Sequence, residues 1–449
     1  MTAVGRRVFL DGFNLALAQG TGVATYARNL SHAVHGLGAQ VGVLYGKRAG
    51  PSRDPLAREV GFFDAGPSKL PQWLADLLRA IALLPKPFGF KAWEVPISGA
   101  VIATGMPYYD EVWNVGDMFG LADVRFEIVG RMLQVRLPGK PPDIMHWTYP
   151  FPVHLVGAKN IYTLHDLVPM RLPATTLDNK RRYLRLARAI ARDADHIITV
   201  SEHSRRDIID LLGVLPDRVT NTYQAVELPL ALRDKPMAQV SADINGSFGL
   251  TAGNYFLFFG AIEPKKNIGR LIEAYLASGV TAPLVVVGKK AWKSEGELRL
   301  MFDDNIKYLV SDGPCTFTRN RIMLLDYAPF ALLMSLVKGA RAVLFPSLYE
   351  GFGLPVLEAM HLGTPVMTSN TASLPELVGE AALTVDPYDV RAMVAAIRAL
   401  DTDAELRRRL AADGPVQAER FSPDRYRERL AAMYVKIGVP DARRDNLAA

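Results

Sequence analysis

Short apolar runs separated by amphipathic stretches recur along this chain, and they fall into two successive sets. In the first, residues 8–10, 41–45, 101–103, 144–147, 161–164 and 197–200 alternate with helical or loop segments. In the second, residues 256–259, 284–287, 322–325, 342–345, 366–369 and 383–385 repeat the theme. Runs this short, without polar alternation, read as strands buried on both faces, and their alternation with helices predicts parallel sheets. The expected fold is therefore α/β, with two doubly wound Rossmann-like domains at residues 1–235 and 250–420. Between them, a stretch near 230–252 rich in Pro, Asp, Ser and Gly reads as a linker. Residues 422–437 read as a final helix with Leu430, Met433 and Tyr434 on one side, within a C-terminal segment 421–449 whose end is a frayed tail.

Composition narrows the class without naming it. With 449 residues, 49% hydrophobic and 22% charged, the chain has core enough for two or three domains. A lone cysteine, Cys315, excludes an internal disulfide framework and fits a reducing compartment. No apolar run approaches the ~18 residues of a membrane-spanning helix. Gly5-Arg6-Arg7-Val8-Phe9-Leu10 imitates a twin-arginine export signal, but Asp11, Asn14 and Gln19 interrupt its apolar region. The segment reads better as a first strand, and a cytoplasmic protein is expected.

Charge is unevenly placed. Residues 1–235 hold 28 Lys+Arg against 22 Asp+Glu, whereas the remainder holds 24 of each. Part of the surplus is a stripe, Arg181, Arg185, Arg188 and Arg192, at spacings that share one helix face. Either this is a solvated face, or it meets an anionic membrane, where each cation adds about 1 kcal/mol. Residues 71–90, with Trp73, Leu77, Leu78, Ile81, Leu83, Leu84 and Phe88, offer an apolar contact or a piece of core, and the flanking prolines limit any helix. A pI near 9.2 raises nucleic acid as a partner, but no module with groove or stacking logic is present.

The chemistry concentrates at strand ends. Residues 345–363 run Phe-Pro-Ser-Leu-Tyr-Glu-Gly-Phe-Gly-Leu-Pro-Val-Leu-Glu-Ala-Met-His-Leu-Gly. A glycine turn around Phe352 feeds a helix opened by Pro355 and closed by Gly363. Backbone N–H groups at such a terminus suit a phosphate. Glu350 on the turn and Glu358 inside the helix bracket the site. Lys265 and Lys266 follow the strand 255–259 and Gly260, again at a carboxyl edge where doubly wound sheets bind ligands. His165 and Asp166 follow the run 161–164. Gly20 and Gly22 lead into a helix at 23–37. His146 and Trp147 end another run, either facing an acceptor or packed in the core.

The segment 345–363 resembles the Glu-x7-Glu motif of the retaining family 4 glycosyltransferases. Similar likenesses hold for residues 258–267, for Thr163-Leu164-His165-Asp166-Leu167, for Gly20-Thr21-Gly22-Val23-Ala24-Thr25-Tyr26 and for 199–204. Together they cover most of the chain in the family's order, least clearly at 50–140. The resemblance implies a GT-B architecture, with the final helix crossing back to the first domain, and a nucleotide-diphosphate sugar donor. It implies Lys266 and Lys265 at the phosphates, Glu350 near the donor sugar, and backbone amides of Phe352, Gly353 and Leu354 on the diphosphate. It further implies Glu358 on the ribose hydroxyls, His165 at the donor sugar, and Gly20 and Gly22 near the phosphates or acceptor. Relatives often carry arginine where Lys265 stands or where Ala261 follows the glycine, so the second basic group departs from the pattern. Residues 9–15 and the Glu-Pro-Lys-Lys-Asn loop look like the mannosyltransferase branch. The implied function is retaining transfer of a sugar, with mannose from GDP-mannose the leading choice, to a glycan or lipid-linked glycan in cell-surface polysaccharide synthesis. No metal or other cofactor is implied, since no Asp-x-Asp pair stands in the right place. A GT-B sugar-nucleotide epimerase and a catalytically silent sugar-binding scaffold are the alternatives.

Overall fold

The computed structural model describes residues 6–16, 22–66, 70–84, 89–99, 101, 106–292, 294–302, 307–312 and 315–438. Its first sheet contains β1 (Arg7–Asp11), β2 (Gln40–Tyr45), β3 (Trp93–Glu94), β4 (Glu111–Asn114), β5 (Ile144–Trp147), β6 (Lys159–Thr163), β7 (His196–Thr199) and β8 (Val219–Asn221). The strand order is β8-β7-β6-β5-β1-β2-β4-β3, parallel except for β3 against β4. The second contains β9 (Phe256–Phe259), β10 (Leu284–Val287), β11 (Ile322–Leu325), β12 (Ala342–Phe345), β13 (Val366–Ser369) and β14 (Leu383–Val385). Its order is β11-β10-β9-β12-β13-β14, parallel throughout. Each sheet reverses its order beside its first strand, and such a switch point opens a crevice at the carboxyl ends.

Burial explains the strands. All four residues of β9, β10, β12 and β13 are buried, as expected for strands covered on both faces. Phe258 and Phe345 stack with ring centroids 5.7 Å apart, joining β9 to β12. Fully burying each such side chain stabilises the fold by about 1.5–3 kcal/mol. Just past β10, a Cβ on Gly288 would lie 1.8 Å from the Gly260 carbonyl oxygen, so only glycine lets the two strand exits cross.

The strand exits and helices depart from expectation in three places. The supposed linker is helical: Met237–Phe248 packs Val240 and Ile244 against Gly339 and belongs with the second sheet. Residues 102 and 103 of the run expected at 101–103 lie outside the described residues, while β3 and β4, which the pattern did not single out, fill that edge. Residues Gln72–Leu83 form a full helix despite the prolines, and Trp73, Leu77, Leu78, Ile81 and Leu84 are exposed rather than core.

The final helix, Pro423–Lys436, follows the second sheet yet packs on the first half. Its buried face is Tyr426, Leu430, Met433 and Tyr434. Tyr426 meets the ring of Tyr26 edge-on at 6.4 Å, the Tyr434 hydroxyl lies 3.4 Å from Nδ1 of His146, and Lys159 donates to the Ile437 carbonyl. Residues after 438 lie outside the described residues. Leu430 is fully enclosed, so Leu430→Ala should lower stability by about 2–5 kcal/mol. Equilibrium denaturant unfolding checks this, and an unshifted midpoint would mean that the helix is not docked in solution.

Candidate active site

Beyond β9, Gly260 adopts φ +138° and the chain enters a short 3₁₀ turn, Pro264–Lys266. Asn267 then takes a left-handed conformation (φ +62°) that starts the helix Ile268–Ser278. Its side-chain amide donates to the carbonyls of Pro346 (3.0 Å) and Pro387 (2.7 Å), fixing this turn to the loop after β12. The Leu348 amide donates to the Lys265 carbonyl at 2.8 Å, a second tie between the same loops. Between them Lys266 Nζ lies 2.6 Å from Glu350 Oε1 and 4.9 Å from the ring centre of Phe345. Both members of the pair are buried. Burial alone would raise the Glu350 carboxyl, but Lys266 and Lys265 outweigh it and hold it below its ordinary range. For Lys265 burial lowers and the carboxylates of Glu350, Asp166 and Glu263 raise, with a net upward result.

The turn after Glu350 is shaped by contacts with both halves. A Cβ on Gly351 would come within 2.8 Å of Asp166 Oδ2 and 3.0 Å of the His165 carbonyl, so the first half presses directly on this loop. The Ser373 hydroxyl lies 2.9 Å from the Glu350 carbonyl and 2.5 Å from the Phe352 carbonyl, its one proton shared between them, which ties both carbonyls to the same point. Gly353 sits at φ +131°, and Leu354 begins the helix Leu354–His361. Among the described residues, the amides of Phe352, Gly353 and Leu354 have no hydrogen-bond acceptor. Free N–H groups at a helix N-terminus form an anion site. One turn in, Glu358 is half-buried rather than on a solvated helix surface, and burial pushes its carboxyl up to about 7.

Across the cleft, His165 lies just past β6. Its Nε2 is 2.9 Å from the Thr148 carbonyl, which makes Nε2–H the donor and leaves Nδ1 as an acceptor. Burial lowers its pKa, so the ring is neutral at neutral pH. Thr148 is itself placed by Asp11, the last residue of β1, which is fully buried and accepts hydrogen bonds from the amides of Thr148 and Phe13. Burial pushes the Asp11 carboxyl up to about 6. Gly22 opens the helix Gly22–Gly36, and its Cα side approaches Leu354 so closely that a Cβ would be 3.3 Å from Leu354 Cδ1. Gly20 lies outside the described residues.

Residues 244–416 match the family described as Glycosyl transferases group 1, and residues 120–228 match Glycosyltransferase Family 4. The chain belongs to the family 4 glycosyltransferases. It is 35% identical over 272 residues to the O-antigen chain mannosyltransferase B of Escherichia coli, covering 58% of this chain and 66% of that one. It is 28% identical over 282 residues to the serotype-specific mannosyltransferase WbdA of Escherichia coli, covering 62% of this chain and 33% of that one. The chain thus spans between about a third and two thirds of these relatives. The sucrose-phosphate synthase of Thermosynechococcus elongatus superposes with a TM-score of 0.62 at 16% identity, covering 96% of this chain and 99% of that one. The fold is GT-B.

In this family 4 glycosyltransferase the cleft brings together Lys265, Lys266, Glu350, the glycine turn at 351–353 and His165. It does not bring His146 and Trp147. Both are fully buried, because β5 is covered on both faces. His146 is enclosed by Thr163, Tyr26 and Tyr434, and burial pushes its pKa down to about 3. Trp147 donates to Asn160 Oδ1 at 3.0 Å and stacks near Tyr162. Neither can meet an acceptor. At the end of β13, the hydroxyls of Thr368 and Ser369 are spent on the carbonyls of Phe345 and Ser347.

Two acidic residues outside any motif link the halves of the glycosyltransferase. Asp207, buried in the helix Glu202–Leu212, accepts from the Tyr349 hydroxyl (2.5 Å), the residue before Glu350, and from Arg171 Nε (2.9 Å). Glu376 accepts from the amides of Glu202 and His203, both at 3.0 Å, and from the Tyr223 hydroxyl at 2.9 Å. The raised pKa of Glu358 has a stability consequence. The native state holds this proton more tightly than the unfolded chain does, so stability from this group is present at low pH and lost as pH rises through about 7. Without ligand, Glu358→Gln should melt above the parent at pH 8 and match it below pH ~4.5, measured by calorimetry across that range.

Proposed function

We propose that this chain is a retaining glycosyltransferase acting on a nucleoside-diphosphate sugar, with mannose from GDP-mannose the leading donor. Its acceptor is a glycan or lipid-linked glycan in cell-surface polysaccharide synthesis. The observation that carries this reading is the Lys266–Glu350 pair, 2.6 Å apart, beside unpartnered helix N-terminal amides and opposite His165. Mannose rests on the relatives, whose names specify mannosyl transfer.

In this reading the bond from the anomeric carbon to the diphosphate oxygen breaks, and its electron pair leaves with the diphosphate. Lys266 and the amides of Phe352, Gly353 and Leu354 neutralise that growing charge, a preorganised arrangement needing no reorientation during the step. The acceptor hydroxyl adds to the same face of the sugar, and its proton goes to the departing phosphate oxygen. Glu350 is already engaged with Lys266, so its first task is to hold that cation in place and favour positive character on the sugar carbon. The neutral His165 accepts a sugar hydroxyl at Nδ1. Glu358 accepts the ribose hydroxyls, and its carboxylate form does so best.

Contact with an anionic membrane is the second part of the proposal. Arg181 and Arg188 are exposed, whereas Arg185 pairs with Glu127 and Arg192 with Asp193. The exposed stripe of Trp73, Leu77, Ile81 and Leu84 supplies the apolar face that an interfacial helix needs. Among the described residues no helix is long and apolar enough to cross a membrane.

Lys266→Ala should reduce turnover by about 10²-fold or more, by analogy with loss of one preorganised donor. Glu358→Gln should mainly weaken nucleotide binding. Because its carboxyl titrates near 7, nucleotide affinity of the parent should rise about tenfold from pH 6 to 8 and stay flat in Glu358→Gln. Steady-state transfer, GDP calorimetry and NMR of the first-formed anomer test these together. Near-parental turnover in Lys266→Ala, or an inverted product, would refute the mechanism.

For the membrane, Arg181→Gln with Arg188→Gln should weaken sedimentation with anionic vesicles at low salt, where screening is weakest. Parent protein that ignores such vesicles would remove this part.

A further inference from the structure

A second pocket, of about 440 Å³, opens in the first half at the end of its sheet away from the cleft. The helix Lys180–Asp193 reaches it just before β7 begins at His196, which places it at the amino edge. Arg125 comes from the helix Met118–Val129, Arg131 from the turn after that helix, and Gln134 from the strand Leu133–Arg136. His154 and the Arg192–Asp193 pair complete the wall. The volume falls within the roughly 300–1,000 Å³ of small-molecule sites. Among the described residues, none from the candidate active site lines it.

The charges inside do not cancel. Arg192 holds the Asp193 carboxylate through Nε (2.6 Å) and Nη2 (2.9 Å), a closed pair. Asp195, just beyond, accepts from the Asn160 amide at 2.7 Å. Arg125 and Arg131 have no ion pair or hydrogen bond with any described residue, so two positive charges stay unmatched. Nε of Arg125 is buried as well as unpartnered, and such a donor costs free energy until an acceptor reaches it. Gln134 and His154 each bring a further N–H, and burial lowers the pKa of His154, which keeps it neutral at neutral pH.

Two free guanidiniums among neutral donors fit a doubly charged oxyanion. Each guanidinium presents parallel N–H groups that match two oxygens of one phosphate. A carboxylate would leave one of the charges unmatched, whereas a phosphate monoester carries about −1.5 to −2 at neutral pH. The pocket also has room for an organic part attached to the phosphate. Ile128 and Val129, 65% and 54% exposed, stand between the two arginines in the chain, where the acyl part of a lipid ester would find apolar contact.

We propose that this pocket binds a phosphate monoester, with Arg125 and Arg131 on the phosphate oxygens, at a site separate from the nucleotide cleft. The ester is a small soluble one or the headgroup of an anionic lipid; the chemistry recognised is the same. The proposal goes beyond the transferase reading and does not depend on it.

Calorimetric titration of the full chain with sn-glycerol 3-phosphate, with and without saturating GDP, tests this at low salt, where screening is weakest. One glycerol phosphate site should persist with GDP bound, and acetate should bind it about tenfold more weakly. Arg125→Gln and Arg131→Gln should each weaken it about tenfold, the loss of one charged hydrogen bond. Arg53→Gln, at an exposed position outside the pocket, should bind as the parent does, and GDP affinity should not change in any variant. Melting temperatures establish folding, and Arg131, which is exposed, decides the matter if Arg125→Gln does not fold. Phosphatidylcholine vesicles containing phosphatidate, set against phosphatidylglycerol vesicles of matched surface charge, distinguish the sources. A preference for phosphatidate that Arg131→Gln abolishes identifies a lipid headgroup, whereas glycerol phosphate binding without that preference identifies a soluble ester. Equal affinity in the parent and both pocket variants, displacement of glycerol phosphate by GDP, or no binding in either arm overturns the proposal. Failure of GDP to bind counts against the transferase reading alone.

Discussion

A lysine and a carboxylate buried together can persist only if each neutralises the other. Lys266 and Glu350 stand 84 positions apart, and their 2.6 Å contact forces the turn after β9 and the turn after β12 into one unit. Asn267 bridging to Pro346 and Pro387, the Leu348–Lys265 backbone bond and the double use of Ser373 all serve to hold those turns at that separation. Removing one partner leaves a buried unpaired charge, a loss of about 3–5 kcal/mol by comparison with other buried pairs. The glycine turn, its free amides and the packing of Asp166 on Gly351 are positioned relative to this pair.

The pair is also a resting state with its charges already in place. In the proposed reading, a diphosphate arriving at the helix N-terminus finds a cation that needs no further desolvation and a carboxylate whose proton is gone. Much of the reorganisation that water would have to perform is done during folding.

How much of this was legible in the sequence follows from the range of each signal. Local signals were faithful: unbroken apolar runs coincide with β9, β10, β12 and β13, where burial on both faces dominates. Lys266, Glu350 and Glu358 stood out because motif spacing is short-range. The linker expectation failed because it weighed composition, whereas Met237–Phe248 is stabilised by burying Val240 and Ile244 on a distant helix. His146 and Trp147 misled for a related reason: a strand end marks the cleft edge, but a strand covered on both faces points its side chains into core. Asp11, inside the segment 9–15, gave no sign of its partner, and Asp207 and Glu376 carried no signal at all. Their partners lie 137, 142 and 174 residues away, and a single acid among many is indistinguishable until the fold brings its donors to it.

Glu376 has a role that reaches past the residues it touches. The helix Glu202–Leu212 starts with its own cap, the Ser201 hydroxyl on the Ser204 amide, but leaves the amides of Glu202 and His203 to a carboxylate from the other half. That carboxylate also complements the positive end of the helix dipole. Any rotation that widens the cleft withdraws an anion from a helix terminus and hands two amides to water. Separating the two halves therefore has to break a helix cap as well as the packing around it.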